Sequence, residues 1–294
     1  MERSVSLPRF VDSHVHYYDM QHPELIYSHW GPDVVHPTLG TRVRTLGERN
    51  FLAEDFIDLT RPFNVAKAVH VQAAIGSPDP VAETAWLQEA ADRTGFPHGI
   101  IAAADLSSAD AETTLQRHCR FANVRGVRDF EVADRLDDPA TLRGFALLEE
   151  MGLIASMNVT WEHMALVRSI AERHPELQMV VDHTGSPRGR TREYIADWRR
   201  GIATAAGAGN VWCKLSGLGM TDHEWSTDSI RPFIEYCIET FGVERCFFGT
   251  NWPVDSLFSS YEAVVAAYAE ITAGLSEGDR TALHAGNAER LYRI

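Results

Sequence analysis

The chain is poor in cysteine, in positive charge and in long apolar runs. Its four cysteines are widely spaced and form no C-x-x-C pair, so we expect them to be small buried side chains. The formal net charge is −14 and no long basic run occurs, which argues against nucleic acid and anionic membranes as partners. No apolar stretch approaches the roughly 20 residues of a membrane span, and no signal peptide is recognisable, so we expect a cytoplasmic protein.

Several catalytic motifs are also missing. The chain has no G-x-S-x-G elbow, no cysteine in a recognisable nucleophile motif, no P-loop and no G-x-G-x-x-G after a strand, so bound nucleotide is not implied. Low-complexity linkers and charge blocks are absent as well, so we place no domain boundary within residues 1–294. With 45% hydrophobic residues, a domain of this length can bury a sizeable core.

What the chain does contain is a repeated unit of strand and helix. Eight short apolar runs predict strands, and the connections from the second run onward show helical periodicity. The runs are RFVDSHVH, AKAVHVQA, HGIIAAAD, VRGVRDF, GLIASMNV, LQMVVDH, VWCKLSG and CFFGTNWP. Eight such strands alternating with amphipathic helices predict a single-domain α/β protein, a (β/α)8 TIM barrel. A doubly wound open sheet is the structural alternative.

Two of the predicted helices have recognisable beginnings. Asp138 is placed as the N-cap and Pro139 as the first residue of a helix that runs to Met151. Ser259 and Glu262 are expected to form a capping box ahead of AVVAAYAEI.

The first connection, from about residue 17 to 50, differs from the others. It is too long for a simple loop and is rich in Tyr, His, Trp, Pro and Gly. Long loops in compact domains often serve function, so this segment is a candidate lid over a site. A surface excursion packed by its own aromatic side chains is the alternative interpretation.

Polar residues follow several of the predicted strands, where a barrel of this kind has its active site. His14 and His16 end the first strand, His183 the sixth and Asn251 the eighth. One H-x-H pair is more often structural, but three histidines from two strand ends are suited to hold zinc with a water in the open position. Further candidates are Arg128, Asn158, Lys214, Gln72 and His70, the last better explained as a core histidine.

These residues and their neighbours resemble a known family. The motifs VDSHVH, VRGVRDF, VVDHTGSP, CKLSGL, FFGTNWPV and the terminal GNAERLYRI occur in order between residues 11 and 294. Together they are similar to the lactonase-like branch of the amidohydrolase superfamily, the "amidohydrolase 2" type that includes sugar-lactone and pyrone-dicarboxylate lactonases. The resemblance implies a (β/α)8 barrel, in agreement with the strand count.

The resemblance also implies roles for individual residues. His14 and His16 would be the strand-one pair, which serves as metal ligands in some members and contacts substrate in metal-free members. His183 would lie beside the scissile carbonyl as a ligand or proton shuttle. Arg128 and Lys214 match positions used around substrate oxygens, although Lys214 is equally explained by pairing with a carboxylate such as Asp12 or Asp182.

One position departs from the family pattern. Where members have Gly-Ser-Asp-Trp-Pro after strand eight, with a carboxylate that activates water, this chain has Gly-Thr-Asn-Trp-Pro, with Asn251 in place of the aspartate. An amide is neither a useful base nor an anionic ligand. Three accounts stay open: a metal-bound water oriented by Asn251, another base such as His183 or Asp255, or a site that no longer hydrolyses anything.

The loop after strand six, SPRGRTRE, carries a local basic cluster in an otherwise acidic protein. If the barrel is right, Arg188, Arg190 and Arg192 lie on its active face, and guanidinium groups bind carboxylates. An acidic substrate such as a carboxylated lactone is therefore a hypothesis, with a solvated loop paired to Glu193 and Asp197 as the alternative.

The leading hypothesis is a hydrolase of a small cyclic ester, in which His14, His16 and His183 bind one divalent metal ion or the substrate carbonyl. Water attacks this carbonyl, and the ring-opening alkoxide takes a proton from His183 or solvent. Zinc and manganese both suit three histidines, and a metal-free site is the other option. The alternatives are a metal-dependent decarboxylase or hydratase and a catalytically silent small-molecule binder. A homo-oligomer stays open.

Overall fold

The structure, a computed structural model, describes residues 7–294. Eight parallel strands form one sheet in which each strand pairs with the next in the chain. The strands are β1 (Phe10–Val15), β2 (Val65–Val71), β3 (Gly99–Ala103), β4 (Val124–Arg128), β5 (Ile154–Met157), β6 (Met179–Val181), β7 (Val211–Leu215) and β8 (Cys246–Phe248).

The sheet closes where β1 meets the end of β8. Val15 bridges Trp252 in a parallel sense, and the amide of His16 donates to the carbonyl of Trp252 at 2.7 Å. This closure and the sequential strand order confirm the predicted (β/α)8 barrel, and the doubly wound alternative is wrong.

Helices alternate with the strands along the chain, and two further helices follow at the C-terminal end of the described residues. They are α1 (Ala53–Thr60), α2 (Val81–Thr94), α3 (Ala111–His118), α4 (Pro139–Met151), α5 (Met164–Arg173), α6 (Arg192–Ala206), α7 (Thr227–Phe241), α8 (Tyr261–Ile271), α9 (Glu277–Thr281) and α10 (Asn287–Tyr292). No helix in residues 7–294 is long and apolar enough to cross a membrane.

The helix beginnings agree with the sequence in one case and differ by a residue in another. The carboxylate of Asp138 accepts from the amide of Ala140 at 2.8 Å, so the predicted cap of α4 is confirmed. The predicted Ser259 capping box is wrong, because α8 begins one residue later. Ser260 has the extended backbone of an N-cap and accepts from the amide of Ala263 at 3.1 Å.

Apolar side chains fill two regions, one between strands and helices and one inside the barrel. Inside the barrel, Phe247 packs against Tyr292 of α10 with their ring centroids 5.7 Å apart. The C-terminal helix thereby packs under the barrel interior.

Three of the four cysteines are buried as expected: Cys213, Cys237 and Cys246. Cys119 is exposed, and the expectation is wrong for it. It directly follows α3, where the helix ends at the protein surface.

The first connection is packed rather than loose. Tyr18 and Phe51 bridge its two ends in an antiparallel pair, and Tyr18 and Trp30 pack edge to face with centroids 4.5 Å apart. Its buried side chains form a continuous cluster with the main core. The connection therefore holds a defined position from which it reaches the carboxyl ends of the strands.

Substitution of Gly126 tests how closely β4 and β5 approach each other. A Cβ atom on Gly126 would collide with the backbone carbonyl of Ile154. We expect Gly126→Ala to lower the free energy of unfolding by about 3 kcal/mol. Gly209→Ala is the matched control, because a Cβ there meets nothing within 4 Å, and it should change stability by less than about 1 kcal/mol. Urea unfolding of both variants measures this, and equal stabilities would contradict the packing described.

Candidate active site

A cavity of about 430 Å³ opens at the carboxyl ends of the strands. Strand-end residues and the first connection both line it, and a shallower groove continues outward from it past Arg42 and His223. The residues that line the cavity are His16, His29, Trp30, His36, Pro37, Thr38, Leu39, Arg128, Phe130, Asp134, Asn158, His183, Ser186, Arg188, Met220, Thr221, Asn251 and Val254.

His14 in β1 and His16, which directly follows β1, form a hydrogen-bonded pair, and His16 lines the cavity. Nδ1 of His16 lies 2.7 Å from the carbonyl of Val71, so Nδ1 carries the proton of this ring. Its Nε2 therefore accepts, and Nε2 of His14 donates to it across 3.2 Å. Nδ1 of His14 in turn faces Nζ of Lys214 at 3.4 Å. This assignment satisfies both rings without a further partner.

Burial keeps both rings neutral. It lowers the pKa of His14 well below its ordinary value, and the charge of Lys214 adds to the effect. Burial likewise lowers the pKa of His16, with Arg128 contributing. The H-x-H pair is thus a neutral donor and acceptor pair at neutral pH.

A buried carboxylate balances the two cations beneath the cavity. Asp182 lies 2.9 Å from Nζ of Lys214 and 3.8 Å from Arg128, and it accepts from Ser156. Burial alone raises the pKa of a carboxyl group, but Lys214, His183 and Arg128 outweigh it and hold the pKa of Asp182 below its usual value. Of the two carboxylates considered for Lys214, the structure pairs it with Asp182.

Asp12 has a different partner set. Its carboxylate accepts from the amide of Thr250 at 2.8 Å, from the hydroxyl of Thr250 at 2.6 Å and from the hydroxyl of Tyr261 at 2.9 Å. These bonds tie β1 to the loop after β8, which carries Asn251. Sequence analysis did not single out this role. The sequence feature that could have indicated this role is the position of Asp12, which lies on the same face of the strand as His14 and His16.

His183 lies in a turn of unusual backbone conformation. His183 and Thr184 have φ of 54° and 53°, the left-handed region that non-glycine residues rarely adopt. Trp198 donates to the carbonyl of Thr184 at 2.9 Å, and Nδ1 of His183 lies 2.8 Å from the hydroxyl of Ser216. A Cβ on Gly217 would collide with this ring. Because Nδ1 faces Ser216 and His183 lines the cavity, we infer that the opposite ring edge, Nε2, faces the cavity.

Burial and nearby cations also keep His183 neutral. Burial lowers the pKa of His183 to about 3, and Arg128 and Lys214 add to this while Asp182 opposes it. Within residues 7–294, Nε2 has no hydrogen-bond partner. His183 is therefore a neutral imidazole with one nitrogen free for a ligand.

Asn251 connects the cavity to a buried acid. It has a left-handed backbone with φ of 57°, and its Nδ2 donates to Asp255 at 2.7 Å. Its Oδ1 lies 3.4 Å from Nε2 of His16. Burial raises the pKa of Asp255 to about 7, although the bond from Asn251 opposes this. Asp255 itself lies behind Asn251 and does not line the cavity.

The three histidines do not form one metal-ligand group. His14 Nε2 and His16 Nε2 are separated by 3.2 Å. Two nitrogens on a tetrahedral zinc lie about 3.3 Å apart. However, no group of three or more His, Cys, Asp or Glu side chains suited to a metal ion occurs in residues 7–294. Asn251 adds only a neutral amide oxygen, and Lys214 lies against His14. The residues present do not fit a three-ligand catalytic metal.

The other predicted site residues fall into three positions. Arg128, Asn158 and Arg188 line the cavity. Gln72 lines a neighbouring pocket instead, and Lys214 is completely buried beneath the cavity. His70 is also buried, and it accepts from the amide of Tyr17 at 3.1 Å, as a core histidine does.

Sequence analysis missed the residues that the first connection contributes. Six residues of this segment line the cavity in two stretches, His29 with Trp30 and His36 with the following Pro37–Leu39. The signal was present as the richness of this segment in His, Trp and Pro, but spacing alone does not indicate which side chains turn inward. The arginine loop is exposed, and no ion pair to Glu193 is formed within residues 7–294.

The comparisons with known proteins agree with this geometry. The amidohydrolase family matches residues 11–294. The chain belongs to the amidohydrolase family. It is 36% identical to the uncharacterized protein y4mH of Sinorhizobium fredii, over 97% of this chain and 98% of that protein. It is 28% identical to an L-fucono-1,5-lactonase of Burkholderia ambifaria, over 97% of this chain and 95% of the relative.

A solved relative has the same architecture. The crystal structure of an amidohydrolase from Burkholderia multivorans with bound zinc superposes with a TM-score of 0.82 at 25% identity, covering 97% of this chain and 99% of that one. Divalent metal therefore occurs among structural relatives of this amidohydrolase, whereas the three-histidine set expected here is not assembled.

The buried acid behind Asn251 predicts a pH dependence of stability. Between about pH 4 and about pH 7 the folded state holds a proton on Asp255 that the unfolded state has released, because burial raises the pKa of this group to about 7. The contribution of Asp255 to the free energy of unfolding therefore falls as pH rises across this range. We expect Asp255→Asn to remove this contribution, so that its free energy of unfolding falls less, or rises more, with pH than that of the wild type, measured by urea unfolding at several pH values. An unchanged slope would contradict the environment assigned to Asp255.

Proposed function

We propose that this amidohydrolase opens a small cyclic ester, a lactone, by hydrolysis. The observation that carries the proposal is the neutral His183 ring, which is held in a left-handed turn with Nε2 free at a cavity next to the buried guanidinium of Arg128. The similarity to L-fucono-1,5-lactonases supports the same reaction class. The cavity of about 430 Å³ suits a ring of this size.

Arg128 is the group best placed to polarise the carbonyl. It is 5% exposed, and its Nη2 donates to the carbonyl of Gln72 at 2.9 Å, which orients the guanidinium. Its Nε has no partner within residues 7–294. A guanidinium next to the carbonyl oxygen stabilises the negative charge that develops there when water attacks. Asp182, 3.8 Å away, balances the charge of Arg128 without neutralising it by close contact.

His183 moves the proton. As the water oxygen bonds to the carbonyl carbon, one water proton passes to Nε2 of His183. The ring C–O bond then breaks, and the same proton passes from Nε2 to the alkoxide oxygen that leaves. Burial and the nearby cations lower the pKa of His183, so its protonated form is a strong acid toward this alkoxide. During attack, the negative charge that develops on the carbonyl oxygen stabilises the protonated ring.

Asn251 and the H-x-H pair hold the ligand in place. The amide oxygen of Asn251 is fixed by the bond from its own Nδ2 to Asp255. His16 lines the cavity beside it, and His14 supports His16 from below. The proposed steps are carried by Arg128, His183 and water, and residues 7–294 contain no group of three or more His, Cys, Asp or Glu side chains suited to a metal ion.

The two other functions considered from sequence have weaker support. A metal-dependent decarboxylase or hydratase of the same superfamily would need a metal-ligand group, and no group of three or more His, Cys, Asp or Glu side chains suited to a metal ion lies in residues 7–294. A silent binder has no use for a free imidazole nitrogen in a left-handed turn, whose backbone strain costs of order 1–3 kcal/mol.

Replacing the imidazole tests the proton transfer. We expect His183→Gln to lower kcat for lactone hydrolysis by about 10²- to 10⁴-fold with little change in KM, because an amide cannot accept and return the proton. His174→Gln is the matched control, since His174 pairs with Glu149 outside the cavity. Steady-state kinetics on a 1,5-lactone measures both, and a kcat in His183→Gln equal to that of the control would contradict the mechanism.

Arg188 tests whether the substrate carries a carboxylate. Its side chain lines the cavity and has no ion-pair partner within residues 7–294. We expect Arg188→Ala to raise KM for a carboxylated lactone by about tenfold at low ionic strength and to leave a neutral lactone less affected. Arg192→Ala is the control, because Arg192 follows in the same segment but does not line the cavity. Equal losses for both lactones would contradict a carboxylated substrate.

A further inference from the structure

A tight turn in the first connection lies at the mouth of the cavity. The amide of His36 donates to the carbonyl of Gly40 at 3.1 Å, and the amide of Gly40 donates back at 2.9 Å. Pro37 and Thr38, within this turn, line both the cavity and the groove outside it. The turn therefore stands where a ligand passes from solvent to the strand ends.

The turn fixes which nitrogen of His36 carries the proton. Nδ1 accepts from the amides of Thr38 and Leu39, each at 3.2 Å, and lies 3.1 Å from the hydroxyl of Thr38. A backbone N–H can only donate, so Nδ1 carries no proton. The neutral ring therefore has its proton on Nε2. Burial, with the charge of Arg188, lowers the pKa of His36, which favours this neutral form.

The Nε2–H group of His36 has no acceptor within residues 7–294. It lies on the ring edge opposite to Nδ1, and the His36 side chain lines the cavity together with Thr221 and Arg188. A donor of fixed polarity is therefore available to a ligand in the cavity that His36 lines. A ligand oxygen satisfies it, whereas an apolar substituent leaves it unpaired.

We propose that His36 is a specificity-determining residue that donates Nε2–H to an oxygen on a ring substituent of the lactone. This inference rests on the proposed lactone hydrolysis. The shared chemistry is an acceptor oxygen, which either a hydroxyl or a carboxylate substituent supplies. His36 binds this oxygen while the carbonyl lies at His183 and Arg128, so it acts on substrate choice and not on the proton transfer.

One substitution removes the Nε2–H donor and keeps the hydrogen bonds of the turn. In His36→Asn the amide oxygen takes the place of Nδ1 and accepts from the backbone amides, as asparagine does in turns. The shorter side chain has no group at the position of Nε2. His22→Asn is the matched control, because Nδ1 of His22 accepts from the amide of Glu24 at 3.3 Å in the same connection, and His22 does not line the cavity.

The measurement compares three 1,5-lactones: unsubstituted, hydroxylated on every free ring carbon, and carboxylated. We expect His36→Asn to raise KM for at least one substituted lactone by about five- to tenfold more than for the unsubstituted one, with kcat less affected. The substituted lactone whose KM rises most shows whether His36 binds a hydroxyl or a carboxylate oxygen. His22→Asn should behave as the wild type. Equal effects on all three lactones, no effect, or the same loss in His22→Asn would overturn the inference.

A binding experiment keeps this inference separate from the proposed function. The corresponding lactams, which resist ring opening, are titrated into the wild type and both variants by calorimetry. If no lactone is turned over but His36→Asn selectively weakens a substituted lactam, the proposed reaction is wrong and the role of His36 stands. If lactones are hydrolysed and the lactam affinities do not depend on His36, the reaction stands and the inference is wrong. Absence of binding by every lactam would overturn the inference.

Discussion

Asp12 joins the first strand of the barrel to the last. It is completely buried, and it accepts from the amide and hydroxyl of Thr250 and from the hydroxyl of Tyr261. Asn251 is the next residue along the chain, so these bonds set the amide of Asn251 opposite His16. The same bonds therefore close the barrel and position Asn251 beside His16. Asp12 thereby connects groups that are more than 230 residues apart in the chain.

The charges around the cavity are arranged so that the histidines stay neutral. Burial disfavours the charged form of the histidines, and the positive charges of Lys214 and Arg128 add to this effect. Asp182 supplies the negative charge that these two cations need. Each neutral imidazole has one hydrogen-bond donor and one acceptor, so its two nitrogens present different groups to a ligand. At His183 and Asn251 left-handed backbones aim these groups, and such strain is typical of functional positions.

Much of this arrangement could be predicted from sequence, because it depends on local pattern. The eight apolar runs correspond to the eight strands, and strand parity places His14 and His16 together. Sequence analysis also considered the pairing of Lys214 with Asp182. It could not predict that Nδ1 of His183 would face Ser216, because this depends on a left-handed turn and on Gly217. Nor could it predict the tautomer of His36, which is set by backbone donors two and three residues ahead.

Acid release from a hydroxylated 1,5-lactone, followed at constant pH with protein dialysed against a chelator, tests the central claim most directly. The account predicts one equivalent of acid for each lactone opened, without added metal, because His183 and Arg128 supply the proton transfer and the charge stabilisation. Carbon dioxide as the product, or acid release that returns only when zinc or manganese is restored, would contradict it.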